Sequence, residues 1–304
     1  MDEKAIYIED ELIVSRNGIV AFFDILGYES LLRKNEPEIA AKIVIRTFKK
    51  IPKIIPEKIL DAIPNPEAKQ LALNVLADMK WNIFSDTIFS SIPVDTYFDH
   101  VINMRKVMVF LASCIFLQRD LFDAGLPIRG ALSMGHFILS DNCFVGPPVI
   151  EAYKLCVAQN WSGVAICPET GDELLRLINH TSAIRTILGV QYFLTKYPVP
   201  FNDKSKKDLL CLRWGDASNL VEPYLGDFRE YVESKFSDHR KDVDEKVKPK
   251  MENTISFLQF CRNCPASDLN ALTIEKQLTD KFPELRKSGH PGFSVLDGGI
   301  MRSS

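Results

Sequence analysis

The chain has 304 residues, of which 46% are hydrophobic and 25% are charged, proportions typical of a globular protein with a substantial core. Its 37 basic and 40 acidic residues give a formal net charge of −3, which provides no electrostatic reason to expect binding to nucleic acid or to an anionic membrane. No run of about 18 apolar residues occurs, and seven cysteines lie scattered through apolar stretches, so we expect a cytoplasmic protein with reduced thiols.

The hydrophobic pattern predicts strands and helices in an alternating order along most of the chain. In chain order, the predicted elements are an edge strand at 12–14, a buried strand at 19–24, a helix at 29–50 with a candidate break near Pro37, a helix at 67–79, a hairpin at 80–91, a helix at 97–122, a strand at 126–137 that leads into a second hairpin, a helix at 149–158, a strand at 164–167, a helix at 169–177 and a last strand at 209–214. This order is typical of an α+β sandwich with helices on one face of a mostly antiparallel sheet.

Changes in composition predict four segments. They are a lead-in at 1–17, a central domain at 18–220 with a proline-punctuated helical insertion at about 52–78, a helical C-terminal extension at 221–287 and a disordered tail at 288–304. In the extension, a charged helical pattern covers 228–262, and a second helix is predicted at 269–282. Four glycines in the last segment are the reason for expecting disorder there.

Two aspartates stand at the ends of β-prone runs. Asp24 ends the apolar run that begins at Ile19, and Asp86 lies at or near the turn of the hairpin at 80–91. Because an aspartate is costly to bury without a partner, this placement favours a bound cation, although a turn or a helix cap is the simpler alternative. The two carboxylates together predict a divalent-metal site.

Four segments resemble, in the correct order, the motifs of class III nucleotidyl cyclases. They are Phe22-Phe23-Asp24-Ile25-Leu26-Gly27-Tyr28, then Phe84-Ser85-Asp86, then Arg129-Gly130-Ala131-Leu132-Ser133-Met134-Gly135, and finally the glycine-started helix from Val145 to Leu155. The resemblance covers about residues 18–170 and implies a ferredoxin-like catalytic domain. Within that superfamily the sequences of the four motifs are most similar to those of the bacterial pyrimidine cyclases of Pycsar antiphage defence, which make cyclic CMP or cyclic UMP.

The resemblance implies a lyase that turns UTP or CTP into a cyclic monophosphate and pyrophosphate, in a homodimer with shared active sites. The product would activate a separate effector protein. Two Mn²⁺ or Mg²⁺ ions per site would be held by Asp24, Asp86 and the carbonyl of Ile25. The backbone around Leu26, Gly27 and Tyr28, with the neighbouring Phe23, would receive the phosphates.

The chain departs from the family at the positions that complete the site. The asparagine and arginine that the family carries on the glycine-started helix align with Ile150 and Lys154, so Lys154 is either a catalytic cation or a solvated surface lysine. The base-reading positions align with Asn82 and Cys143, which disfavours purines and favours UTP only slightly over CTP. Arg129 could contact phosphate or form an interior ion pair.

Two other functions remain open from the sequence. One is a degenerate cyclase-homology module that binds nucleotide or a partner without turnover, which the missing asparagine favours and the two aspartates oppose. The other is an enzyme that makes a cyclic dinucleotide, which is disfavoured because the hairpin lacks a Gly-Gly-acidic-acidic-Phe turn.

Overall fold

A nine-stranded sheet organises the part of the chain that the computed structural model describes, namely residues 4–8, 11–63, 65–94, 100–140, 143–180, 193–215, 226–239 and 245–264. The strands are β1 Lys4–Ile8, β2 Glu11–Ile25, β3 Lys80–Phe84, β4 Thr87–Pro93, β5 Ile128–Ser140, β6 Cys143–Val145, β7 Val164–Ile166, β8 Leu194–Pro200 and β9 Lys206–Leu212. Their order is β3-β4-β2-β5-β7-β9-β8, with β1 added to β2 and β6 added to β5. Only the β5–β7 pair is parallel among these strands.

The helices that the structure describes are α1 Tyr28–Lys34, α2 Pro37–Phe48, α3 Ile51–Ala62, α4 Pro66–Asp78, α5 His100–Asp123, α6 Pro147–Ala158, α7 Pro168–His180, α8 Phe228–Ser237 and α9 Lys248–Asn263. None of them is both long enough and apolar enough to cross a lipid bilayer. Prolines at the first or second position begin several of them, where a missing amide hydrogen costs nothing.

The central strand β2 is apolar on both sides because both faces of the sheet are covered by helices. Phe23 and Ile25 belong to the large core that contains α5, whereas Val20 belongs to a smaller cluster with Ala152 and Cys156 of α6. Successive side chains of a strand point to opposite faces, so α6 packs on the face opposite to α5. The prediction of helices on one face only is therefore wrong, since α6 covers the second face.

Helix α6 can approach the sheet closely because a glycine precedes it. A Cβ atom on Gly146 would lie 2.7 Å from the carbonyl oxygen of His136 and 2.9 Å from the Cα of Phe137. Both contacts are with backbone atoms, which cannot move aside without disturbing β5. The glycine that begins the motif thus has a packing reason to be there.

The C-terminal helix α9 packs on the core rather than standing apart from it. The ring of Phe257 lies 4.6 Å from that of Trp161 and 4.9 Å from that of Tyr197, and all three side chains are buried. Because these three large aromatic side chains are buried against one another, α9 belongs to the same hydrophobic core as the sheet.

The α+β class, the helical insertion and the helical C-terminal extension are confirmed, with several differences in detail. The predicted edge strand at 12–14 is the beginning of the long β2. The predicted helix at 29–50 is divided at the candidate break, since the first helix ends at Lys34 and the second begins at Pro37. The pattern at 228–262 forms α8 and α9 instead of one helix. The predicted helix at 269–282 and the tail at 288–304 lie outside the described residues.

Strand β8 is absent from the prediction. Its sequence, Leu-Thr-Lys-Tyr-Pro-Val-Pro, contains two prolines, which normally argue against a strand. The structure resolves the conflict because β8 lies at the edge of the sheet, where one side of the strand needs no hydrogen-bond partner.

Candidate active site

The structure brings Asp24 and Asp86 to the same end of two neighbouring strands. Asp24 is the last residue but one of β2 and lies opposite Thr87, the first residue of β4. Asp86 precedes Thr87 directly, in the two-residue turn that joins β3 to β4. The Ile25 amide donates to the Asp86 carbonyl oxygen over 3.1 Å, so the turn is tied to the strand that carries Asp24.

The carboxylate of Asp24 is paired with Arg129, which lies opposite it in β5. The Nε and Nη2 atoms of Arg129 donate to Oδ2 of Asp24 over 2.9 and 2.8 Å. The remaining nitrogen, Nη1, donates to the carbonyl oxygens of Val157 and Gln159 over 2.8 and 3.1 Å. Arg129 therefore connects the acid to the end of α6, and the interior ion pair is the alternative that the structure contains.

Burial raises the pKa of Asp24 above its usual value, because the charged carboxylate is partly removed from water. The Arg129 guanidinium lowers the pKa, the neighbouring charge of Asp86 raises it and the charge of Lys250 on α9 lowers it, and the sum remains a raised pKa. The mutual effect of Asp24 and Asp86 places the two carboxylates within electrostatic range of each other. Lys250 brings a cation from the C-terminal extension to the same region.

The two aspartates fit a divalent cation as donors. Only Oδ2 of Asp24 accepts from Arg129, and within the described part of the chain Oδ1 has no hydrogen-bond donor. The Asp86 carboxylate likewise has no donor or ion pair among those residues. Asp24, Asp86 and Arg129 sum to −1, and Lys250 brings the charge of the region to zero. Hard carboxylate oxygens are the ligands that Mg²⁺ and Mn²⁺ prefer. Among the described residues, no group of three or more histidine, cysteine, aspartate or glutamate side chains could hold a metal ion together. Any further ligand beside the two aspartates must therefore be a backbone oxygen, water or substrate.

The loop after β2 differs from the predicted phosphate site. The Leu26 amide donates to the Pro127 carbonyl oxygen over 2.9 Å, so it is already occupied. The Phe23 side chain is completely buried on the sheet face opposite to Asp24, so this side chain does not contact a nucleotide held by Asp24. Gly27 has a φ of 71°, a left-handed conformation that favours glycine, and it starts α1. The amide of Tyr28 lies in the first turn of α1, where amides have no acceptor within the helix.

Asn82 and Cys143, the predicted base-reading residues, lie in different places relative to Asp24. Asn82 lies opposite Phe89, which lies opposite Phe22, so it shares the sheet face of Asp24 two strands away. From strand spacing and rise we estimate a separation of roughly 12 Å. Cys143 is exposed and pairs with Ser140 at the far end of β5, on the order of 35 Å from Arg129 along that strand. Within one protomer, therefore, Cys143 does not reach a nucleotide at Asp24.

Lys154 points away from the sheet. It is exposed on the outer side of α6, near Ile150 and Tyr153, which are 55% and 49% exposed. Two further exposed apolar side chains are Val145, at 56%, and Phe84, at 79%, beside Asp86. The four do not form one surface, because Val145 pairs with Ile138 near the far end of β5, roughly 30 Å along the sheet from Phe84. Lys154 does not contact Asp24 in its own chain.

Sequence reasoning missed two features of the site. The arginine was noticed, but its partner was not identified, because the register that places Arg129 opposite Asp24 depends on tertiary pairing of β2 and β5. Lys250 was missed altogether because its helix was assigned to a separate extension. The signal available was that Met251, Ile255 and Leu258, at helical spacing beside Lys250, form an apolar stripe able to pack on the core.

The comparisons with known proteins find similarity to solved structures alone, at TM-scores below 0.5. No protein-family model matches the chain, and no curated protein matches its sequence. Among solved structures, the adenylyl cyclase CyaB from P. aeruginosa is similar over 70% of this chain and 97% of its own, at 13% identity and a TM-score of 0.41. The guanylyl cyclase Cya2 is similar over 69% and 96%, at 12% identity and 0.38. The catalytic core of a rhodopsin-guanylyl cyclase in complex with ATPalphaS is similar over 66% and 97%, at 12% identity and 0.40.

Proposed function

We propose that this chain is a nucleotidyl cyclase that converts a pyrimidine nucleoside triphosphate into the 3′,5′-cyclic monophosphate and pyrophosphate. The observation that carries the proposal is the placement of Asp24 and Asp86 at one end of neighbouring strands, with Oδ1 of Asp24 open. A pair of carboxylates, one of them held by Arg129 at a single oxygen, is suited to hold divalent ions against a triphosphate. The sequence resemblance to class III cyclases adds the reaction type.

In cyclisation, the ribose 3′-oxygen attacks the α-phosphorus in line while pyrophosphate departs. Two divalent ions, when bound, stabilise the charge that develops on the attacking and leaving oxygens. The chain's contribution is to fix the ligands: the β2–β4 register fixes Asp24 relative to Asp86, and Arg129 holds Oδ2 so that Oδ1 stays accessible. The carbonyl of Ile25 remains a predicted third ligand.

A homodimer with shared sites accounts for the residues that one protomer leaves apart. Lys154 faces outward and Cys143 lies far from Asp24 in its own chain, so both would serve the partner subunit's nucleotide. The exposed apolar side chains of Ile150 and Tyr153, beside Lys154 on α6, are consistent with a contact between protomers there. Two equivalent sites follow from twofold symmetry.

Asn82 supports a pyrimidine substrate. Its amide offers both a donor and an acceptor, which suits the edge of uracil or of cytosine, and we favour UTP slightly. In the further proposal, the cyclic nucleotide acts in the cytoplasm as a second messenger that activates a separate effector in antiphage defence. This last step is carried by the sequence resemblance alone.

The test is incubation of the purified chain with each of the four nucleoside triphosphates and Mn²⁺, followed by chromatographic identification of products. We expect a cyclic monophosphate from UTP or CTP and little from ATP or GTP. Asp24→Asn and Asp86→Asn should each lower turnover by at least about a hundredfold, because each removes a metal ligand. Asp61→Asn, at an exposed position on α3, is the matched control and should leave turnover unchanged. The proposal fails if the parent chain cyclises neither UTP nor CTP. It fails equally if Asp24→Asn and Asp86→Asn turn over nucleotide as fast as the control Asp61→Asn.

The second candidate is a module that binds nucleotide without turnover. Two features favour it. Ile150 stands at the family's asparagine position, and Arg129 forms an ion pair with Asp24. Saturable UTP or CTP binding without any product in the same assay would select this function over the cyclase.

A further inference from the structure

A cleft lies on the side of the sheet opposite to Asp24, between α2, α5 and α3 of the insertion. It has a volume of about 410 Å³ and is bounded by α2, α3, α5 and the residue His239, which follows α8. Its walls belong to the large core, whereas Asp24 lies on the face covered by α6. The cleft is therefore separate from the candidate active site, and its role does not depend on the proposed cyclase activity.

The floor of the cleft is apolar. Ile51, Ile55 and Leu121 line it with exposures of 5%, 1% and 1%, and the half-buried Ile43 and Ile54 continue the same surface. The lining contains no phenylalanine, tyrosine or tryptophan, and its one ring is the imidazole of His239, whose Nε2 lies 3.0 Å from the carbonyl oxygen of Ala124. The floor is suited to an aliphatic group.

The rim of the cleft is cationic. Lys42 and Arg46 lie on α2, and Lys50 follows at the same four-residue spacing, so the three side chains share one side. All three are exposed, and none has an ion-pair partner within the described part of the chain. The acidic residue of the lining, Asp120, is already paired with Lys58 and does not neutralise them.

We propose that this cleft binds a free fatty acid of medium chain length, with the carboxylate at the three rim cations and the acyl chain on the isoleucine floor. Three unpaired positive charges above an apolar surface are complementary to an anion that carries an aliphatic chain. The volume is at the small end of the ~300–1,000 Å³ typical of small-molecule sites, which suits one extended chain.

The proposal is tested by calorimetric titration of the full chain with dodecanoate, below its micelle concentration. We expect saturable binding of one molecule per protomer, and no binding of dodecanol, dodecyltrimethylammonium or acetate, which lack one of the two features. Decanoate and octanoate should bind progressively more weakly, by up to about fourfold for each methylene removed. Circular dichroism recorded during the titration should stay unchanged, because the ligand occupies a preformed site.

Two double variants with reversed charges test whether the rim cations bind the carboxylate. The variant Arg46→Glu/Lys50→Glu should weaken dodecanoate binding by about tenfold or more, since it removes two cations and adds two anions. The variant Lys49→Glu/Lys53→Glu changes the net charge equally at exposed neighbours outside the lining and should bind like the parent. Equal binding by the two double variants, binding of dodecanol as tight as that of dodecanoate, or no saturable binding at all would overturn the proposal.

Discussion

Removal of Arg129 tests whether this arginine is what makes the buried Asp24 carboxylate tolerable. The side chains of Arg129 and Asp24 are only 16% and 19% exposed, and two hydrogen bonds join them. Taking one partner out of a buried ion pair usually costs about 3–5 kcal/mol. Because both groups keep some contact with water, we expect Arg129→Met to lower the free energy of unfolding by about 3 kcal/mol.

The same reasoning predicts a strong coupling with Asp24. Asp24→Asn keeps a hydrogen-bond acceptor but loses the charge, so we expect a loss of about 1 kcal/mol. Once Asp24 is neutral, removing Arg129 should cost much less, so the double variant should be more stable than the sum of the single losses by at least about 1 kcal/mol. Urea unfolding in the presence of EDTA measures all four proteins, and unchanged m-values would show that the folded state is retained.

Arg33→Met is the control for this cycle. Arg33 pairs with Glu29 at the surface, where both side chains are 78% exposed, so the expected change is within about 0.5 kcal/mol. If the losses from Arg129→Met and Asp24→Asn are simply additive, or if Arg129→Met costs no more than the control, then Arg129 does not stabilise the carboxylate and the electrostatic description of the site is wrong.

Three other predictions follow from the structure. Gly27→Ala should lower the free energy of unfolding by about 1–2 kcal/mol in a urea titration, because the φ of 71° is unfavourable for any residue with a Cβ. Arg213→Met should cost about 2–4 kcal/mol in the same assay, because this fully buried side chain donates to the carbonyl oxygens of Cys261 and Cys264 at the end of α9. Burial raises the pKa of Asp24, so a proton competes with a cation for this carboxylate up to a higher pH than usual, and Mn²⁺ affinity measured by calorimetry should fall as the pH is lowered through that pKa.

The sequence was sufficient for the parts of the fold that depend on local pattern. The unbroken apolar run that ends at Asp24 and the short β-prone runs on either side of Asp86 are both local signals, and the structure has strands at both places. Because Asp24 ends a predicted strand and Asp86 lies at a predicted hairpin turn, the two carboxylates were expected to lie close together. The role of the pair remains a prediction.

What could not be predicted depends on contacts between distant segments. The pairing of Arg129 with Asp24 requires the register of two strands separated by more than a hundred residues, which no local pattern specifies. The Leu26 amide was expected to be available, but the chain before β5 supplies its acceptor at Pro127. Phe23 was assigned to the site by adjacency alone, although strand alternation places it on the opposite face.

Binding of Mn²⁺ to the nucleotide-free protein, followed by electron paramagnetic resonance, tests most directly whether Asp24 and Asp86 form one cation site. We expect saturable binding by the parent chain and by Asp61→Asn, and a large loss of binding in both Asp24→Asn and Asp86→Asn. Equal binding by the parent and by either of these two variants would contradict a shared site, and so would the absence of saturable binding even when a non-hydrolysable UTP analogue is present.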